Sequence, residues 1–275
     1  MAVDDSLALS FSHRAGGIEA EVMSSNADVL CFEEVDRFEE LRDRLAVFGF
    51  KGWHVPNPGS PCLQPREGQS SDDVRPDGLA LFVRTDVVDV RRFESRELRN
   101  VPGYEHGIKV AFCAVLCPVE GAGLPAKPFL LACAHLKAKK GYTGVRQRQA
   151  SMLLDLMRDV ATDEAVPLES AVVCGDWNDV PHSAPYTTML DAGFASAYAT
   201  ARGGDAPDGE NSYTTDKIRP NGRTVHTIDY IFHGQDVKVQ SVWRVPNPSV
   251  IPASRLPCRE YPSDHLSLCA ELRWR

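Results

Sequence analysis

Apolar residues along the chain come in short runs. DVLCF (28–32), LALFV (79–83), IKVAFCAVLC (108–117), FLLACAH (129–135), SAVVCG (170–175), HTIDYIF (226–232), VKVQSVW (237–243) and LSLCAELRW (266–274) are rich in Val, Leu, Ile, Cys and Phe. Most are bounded by Gly, Pro, Asp or Ser, which predicts strands. Two helical periods stand out. Phe38, Leu41, Leu45 and Phe48 recur at helical spacing, with Gly49 placed as a C-cap. Over residues 143–160, Met152, Leu153, Leu156, Met157 and Val160 form an apolar stripe, and Arg146, Gln147, Arg148 and Asp155 fall mainly on the other face. A shorter helix is expected to start at Ser183, with Tyr186 and Leu190 inward. Residues 56–78 and 200–212, dense in Pro, Gly, Ser and Asp, predict irregular loops of the kind that rim functional sites.

Strands with helices interspersed, no internal repeat and no linker predict one mixed α/β domain over residues 1–275. Composition narrows the class. With 43% hydrophobic and 25% charged residues in 275, disorder, coiled coil and collagen are excluded. The longest apolar runs fall far short of the ~20 residues of a membrane span. A net charge of −8 argues against broad adhesion to duplex nucleic acid or anionic lipid, which excess Lys and Arg drive. There is no CxxC pair among the eight cysteines; Cys31, Cys113, Cys133, Cys174 and Cys269 lie in apolar stretches and are expected as buried, reduced thiols. MAVDDSLALSF reads as neither a signal nor a transit peptide, so an intracellular, cytoplasmic setting is expected.

Polar residues gather where the strands end. Glu33 and Glu34 follow one strand; His135, Lys137 and Lys139 follow another. Asp176 and Asn178 stand two apart and project to one side of an extended chain. Asp229 interrupts an apolar strand, and Asp264 adjoins His265. Each alone reads as a turn residue, a cap or a hydrogen-bonded core group. Together they offer hard oxygen ligands suited to Mg²⁺, with Mn²⁺ as an alternative. The histidines add proton transfer and anion stabilisation near neutral pH. Zinc is disfavoured, because no cysteine and no His-x₃-His spacing joins the cluster.

Five ordered motifs, FEEVD (32–36), AHLKA (134–138), GDWNDVPHSAPY (175–186), TIDYIF (227–232) and PSDHLSL (262–268), resemble those of the endonuclease/exonuclease/phosphatase superfamily. NPGSPCL (57–63), RPDGLALF (75–82), HLKAKKG (135–141), YTTDKIRPNG (213–222) and RLPCREYPSDHLSL (255–268) are similar to its nocturnin-like branch, related to the deadenylases. The resemblance runs from Asp28 to the C-terminus. It implies a four-layer, DNase-like sandwich: two mixed β-sheets face to face, helices outside, and the site at one open end. It implies Glu34 as the metal ligand, with Glu33 where the branch usually has glutamine. Asp176 would orient or deprotonate the attacking water, and Asn178 would hold that water or a phosphate oxygen. His135 and His265 would contact phosphoryl oxygens. Asp264 would fix a histidine tautomer, and Asp229 would sit near the metal and the histidines.

The family's first strand ends in an asparagine that helps organise the metal, and SLALSFSHR (6–14) contains none. An incomplete N-terminus is the favoured expectation; the alternative is that Ser12 or His13 stands in at the end of a diverged first strand. Asn26 belongs to the turn before DVLCF. Two substrates follow from the resemblance: the 2′-phosphate of NADP(H), or the poly(A) tail of mRNA. The acidic net charge disfavours a long RNA track, whereas Lys137, Lys139, Lys140, Arg146 and Arg148 form a short basic segment beside His135. Arg219 matches the branch and would clamp a second phosphate. Asn57 replaces a lysine and Lys139 an arginine of the branch, weakening two phosphate contacts. Trp53 and Trp177 are candidates for stacking on a base, core packing being the stronger expectation for Trp177. A non-catalytic nucleotide binder remains the outlying reading.

Overall fold

The computed structural model describes residues 10–64, 74–99, 101–105, 107–121, 127–219, 222–253 and 255–275. In chain order the elements are α1 (Phe11–Ser25), β1 (Val29–Phe32), α2 (Phe38–Ala46), β2 (Phe50–Pro56), β3 (Gly78–Arg84), β4 (Val88–Leu98), β5 (Lys109–Pro118), β6 (Phe129–Ala134), α3 (Thr143–Glu164), β7 (Val172–Asp176), α4 (Ala184–Asp191), β8 (Ala195–Ser196), α5 (Ala197–Ala201), β9 (Thr215–Arg219), β10 (Gly222–His226), β11 (Asp229–His233), β12 (Val237–Val242) and β13 (Ala270–Trp274).

Side-chain alternation in β5 and β6 sets the layering. Phe112, Ala114 and Leu116 of β5, with Leu131 and Cys133 of β6, face Leu79, Leu81 and Val83 of β3 across an inter-sheet core. The intervening residues, Ala111, Cys113, Val115, Leu130, Ala132 and Ala134, turn the other way, onto Leu153, Leu156, Met157 and Val160 of α3 and Met189 of α4. Such strands are apolar on both faces, which is why their sequences read as continuous runs. On the far side, Ala80 and Phe82 of β3 pack under Leu41 and Leu45 of α2 and Val22 of α1. The result is helices, sheet, sheet, helices: the expected four-layer sandwich.

One sheet has the order β1-β3-β2, all antiparallel; the other is mixed, in the order β4-β5-β6-β7-β11-β8, with β6 and β7 parallel. Two-stranded ribbons β9–β10 and β12–β13 complete the fold; Leu272 and Trp274 of β13 join the inter-sheet core.

Several sequence expectations are corrected. Ser12 and His13 lie in the first turn of α1 and end no strand; His13 Nε2 contacts the Arg259 carbonyl at 3.0 Å. Residues 6–9 of the proposed first strand lie outside the described residues. Asn26 does occupy a turn, as the left-handed C-cap of α1. HTIDYIF is divided: His226 closes β10 and β11 starts at Asp229. LSLCAELRW is strand only from Ala270. Leu190 is exposed, and Met189 takes the inward place on α4. Arg146 leaves the solvent face entirely and is 3% exposed. β2 and β4 went unforeseen because polar residues dilute their apolar runs. FKGWHVP mixes Lys and His into an edge strand, and VDVRRFESREL carries the charges that protect a sheet edge.

Candidate active site

Strand direction gathers the polar residues at one end of the sandwich. Glu33 and Glu34, Asn57 and His135 come just after the last residues of β1, β2 and β6, and Asp176 is the last residue of β7. The antiparallel neighbours start there, with Gly78, Lys109 and Asp229 as the first residues of β3, β5 and β11. Glu34, Asn57, Asp77, Gly78, Lys109 and His135 line one cavity spanning both sheets.

Asp176 depends on the residue before it. Gly175 has φ +141°, and a Cβ there would lie 2.0 Å from the Ala134 carbonyl oxygen, so only glycine lets β7 approach β6 this closely. The Asn178 backbone N–H donates to Asp176 Oδ1 at 2.7 Å, and Asn178 Nδ2 donates to Asp176 Oδ2 and the Leu136 carbonyl, both at 3.1 Å. His135 Nε2 lies 3.5 Å from Asp176 Oδ2. Burial and then the Asp229 carboxylate push Asp176 up to about 7. Burial, with Lys109, His265 and Lys217 adding to it, pushes His135 well down, so its ring is neutral at physiological pH.

His265 has the opposite character. Burial opposes its charge, but Asp229, at 2.9 Å from Nδ1, and then Asp176 outweigh that and hold the imidazolium up to about 9. Thr214 Oγ1 donates to Asp229 Oδ2 and fixes that carboxylate. Asp176, Asp229 and His265 bring their polar atoms within 4.8 Å of one another. The sequence expectation for Asp264 is corrected: the partner of His265 Nδ1 is Asp229, while Asp264 Oδ2 pairs with Lys217 Nζ at 2.7 Å. Lys217 also stands 3.0 Å from His265 Nε2. Lys217 and Lys109 were missed; Lys217 lay inside YTTDKIRPNG, and its place beside Arg219 on a strand was the only signal.

The donors for a hard cation lie on the other wall. Glu34, at φ +55°, opens to the cleft; the walls still desolvate it, and Asp264 and Asp77 add repulsion, so its carboxyl is raised. Asp77 is 8% exposed, and its buried Oδ1 has no hydrogen-bond partner. An orphaned carboxylate oxygen beside a second carboxyl fits a divalent cation. His265 does not, since both its nitrogens are engaged and Lys217 would repel a metal there. Glu33 turns inward instead, accepting from Cys133 Sγ at 3.4 Å. Burial first, then Cys174, Asp229 and Asp176, push its carboxyl well up.

The expected phosphate-binding segment separates into distinct roles. Arg146 is buried, pairs with Asp179 at 2.9 Å and donates to the Lys137 and Lys139 carbonyls, which makes it a clip for the loop rather than a free cation. Lys137 Nζ sits 4.8 Å from the Tyr104 ring centroid and 4.7 Å from that of Tyr142. Lys139, at φ +83°, is exposed along with Lys140 and Arg148. Asn57 is buried at the cavity, with Oδ1 accepting from Gly59 N–H at 3.0 Å. Arg219 closes β9, and its side chain lies outside the described residues. Neither tryptophan reaches the site: Trp177 is 1% exposed against Phe232, and Trp53 stacks on Phe93.

The sequence profile of the Endonuclease/Exonuclease/phosphatase family matches residues 6–265. Nocturnin of Mus musculus is 32% identical over 270 residues, covering 96% of this chain and 59% of that protein. The chain thus spans about three-fifths of the length of such relatives. The CCR4-Not complex 3′-5′-exoribonuclease subunit Ccr4 of Yarrowia lipolytica is 24% identical, covering 98% of the chain and 44% of that protein. The solved human Nocturnin catalytic domain, with a bound sulfate anion, superposes with a TM-score of 0.78 at 27% identity over 97% of this chain and 88% of its own.

Proposed function

The chain belongs to the Endonuclease/Exonuclease/phosphatase family, and from that premise we propose that it is a divalent-metal-dependent phosphoesterase that removes the 2′-phosphate of NADP(H), giving NAD(H) and inorganic phosphate. The observation that carries this reading is the pairing of a proton-accepting group with cationic donors around one point: Asp176, raised to about 7, faces the His265 imidazolium, raised to about 9, inside a 4.8 Å cluster.

In this reaction Asp176, held by Asn178, orients the attacking water and takes its proton, a role suited to a carboxyl tuned near the operating pH. His265 and Lys217 donate to the phosphoryl oxygens as charge builds on them. Neutral His135 adds a hydrogen bond and no charge. Glu34, with Asp77 beside it, would hold the cation, Mg²⁺ in our reading with Mn²⁺ as a substitute. The cation supplies Lewis-acid neutralisation of the phosphate. Lys137, Lys139 and Arg219 would hold the remaining phosphates and Asn57 would line the entrance.

A compact substrate is favoured by charge. The basic residues near the site are few, and the chain as a whole carries a net charge of −8, whereas binding a polyanion needs many neutralised phosphates and weakens steeply with salt. The test measures phosphate release from NADP(H) against shortening of a labelled oligo(A), both with Mg²⁺ at about physiological salt. Faster phosphate release supports the proposal. Faster shortening of the RNA transfers the site to a poly(A) exonuclease, and no turnover of either leaves a nucleotide binder.

A further inference from the structure

Beneath the catalytic cluster lies a second set of donors that the reaction does not use. Cys31 of β1, Cys133 of β6 and Cys174 of β7 bring their sulfurs within 4.8 Å of one another. Their spacing to the active site is the same on two strands: Cys133 stands two residues before His135, and Cys174 two before Asp176. Alternation puts such pairs on one face of an extended strand, so the thiols form a layer below the catalytic groups. Cys133 and Cys174 are direct partners in the parallel ladder, while Cys31 arrives from the opposing sheet. Cys31 precedes Glu33 by the same interval, and Glu33 Oε1 is the group 3.4 Å from Cys133 Sγ.

We propose that Cys31, Cys133, Cys174 and Glu33 form a binding site for a thiophilic divalent cation of the zinc class, separate from the hard-cation position at Glu34. Three features favour this over thiols merely filling a core. The sulfurs converge from three strands and both sheets on one point. A tetrahedral zinc–thiolate centre has Zn–S bonds of about 2.3 Å, which sets its sulfurs about 3.8 Å apart; closing the observed cluster to that size takes shifts of an ångström or less. The candidate fourth donor is Glu33, whose Oε1 lies 3.4 Å from Cys133 Sγ and which makes no ion pair among the described residues. Cys31, Cys133 and Cys174 are in no disulfide, so each sulfur is available as a ligand.

Binding forms three Zn–S bonds and one Zn–O bond and releases the thiol protons and the Glu33 carboxyl proton to solvent. The bound ion ties β1 of one sheet to β6 and β7 of the other, beneath the strand ends that carry His135 and Asp176. Its effect is structural: it fixes the distance between the two walls of the cleft and takes no part in phosphoryl transfer.

The experiment uses the full chain, reduced and stripped of metal, then held in excess Mg²⁺ so that the hard-oxygen position is filled. Zn²⁺ is added, loose ion is removed by desalting, and retained zinc is counted by elemental analysis. The expected result is about one zinc per chain, with a stoichiometry matching the single site of tetrahedral ligands. Co²⁺ in its place should give intense thiolate-to-cobalt charge transfer in the near ultraviolet. Alkylation with mass mapping supplies a readout needing no variant: Zn²⁺ should protect Cys31, Cys133 and Cys174 while Cys62 and Cys269 still react. Cys31→Ser and Cys174→Ser, checked for folding by circular dichroism, should lose retained zinc, and Glu33→Gln should weaken retention while leaving the cobalt–thiolate band. Failure of the wild-type chain to retain zinc overturns the proposal. So does zinc that leaves the three cysteines unprotected, or cobalt bound without the thiolate band.

Discussion

His265 touches an acid and a base at once: its Nδ1 lies 2.9 Å from Asp229 Oδ2, and its Nε2 lies 3.0 Å from Lys217 Nζ. The two contacts oppose each other. Asp229 holds a proton on the ring and Lys217 works to remove it, and the carboxylate wins, leaving the imidazolium with a pKa of about 9. At neutral pH an imidazolium and an ammonium therefore stand side by side, each paired with its own carboxylate, Asp229 and Asp264, yet still repelling one another. A phosphoryl group placed between them would relieve that repulsion, which is why the arrangement favours binding charge as it develops.

Asp229→Asn tests the pairing. The amide keeps the size but not the charge, so the His265 pKa should fall from about 9 towards its ordinary 6.5, and kcat should drop by roughly 10²–10⁴, the scale on which losing a histidine's orienting carboxylate acts. Asp264→Asn should cost less. The same change should alter stability. Because the folded pKa exceeds the ordinary one, the His265 contribution is complete below pH 6.5 and is lost as pH rises through about 9. Chemical denaturation over that window should show a decline in wild type that Asp229→Asn flattens.

Lys217→Met removes one of the two cations and keeps the stem. With the ammonium gone, His265 should titrate higher still, since Lys217 is among the groups lowering it. The basic limb of the pH–rate profile should move upward, while kcat/KM falls by about 10²–10³, the cost typical of losing one transition-state donor. A fall in kcat/KM with an unmoved basic limb would place Lys217 away from His265 during turnover.

Much of this was legible in the order of the motifs. The two central strands read as apolar runs because both faces are covered, and the chemistry read as polar residues just past strand ends. What failed was anything set by partners distant in sequence. Asp264 adjoins His265 in the chain, yet Asp229, 36 residues away, holds its ring. Arg146 looked like a helix-face cation, and only the fold reveals Asp179 and two loop carbonyls waiting for it. The three clustered cysteines were equally hidden, because each is a good core residue and no local spacing links three separate strands, two of one sheet and one of the other.

Arg146→Met separates the structural cation from the substrate-facing ones. The guanidinium is buried with Asp179, and removing one partner of a buried pair costs about 3–5 kcal/mol. Urea denaturation should show a loss on that scale, whereas Arg148→Met, on the exposed face of α3, should change stability by less than about 0.5 kcal/mol. Lys139→Met should leave stability unchanged and raise KM for NADP(H). If Arg146→Met instead proved as stable as wild type, the pairing with Asp179 would not persist in solution.

Proton and cation should compete at the carboxylate cluster, and the sign of that competition follows from Asp176. Its folded pKa, about 7, lies well above the ordinary 3.8, so the folded chain without metal holds the proton more tightly than the unfolded chain does. Stability from this group is therefore complete below pH 3.8 and declines as pH rises through about 7. A divalent cation offsets the repulsion that ionisation creates, and a ligand bound only by the folded state stabilises it in proportion to RT ln(1 + [L]/Kd). The rise in melting temperature produced by a fixed Mg²⁺ concentration should accordingly be larger at pH 8 than at pH 6. Glu34→Gln should remove most of the rise at both pH values, and Asp176→Asn should make what remains nearly independent of pH. A Mg²⁺ effect that is greater at the lower pH, measured by differential scanning fluorimetry in matched ionic strength, would separate cation binding from the ionisation of Asp176.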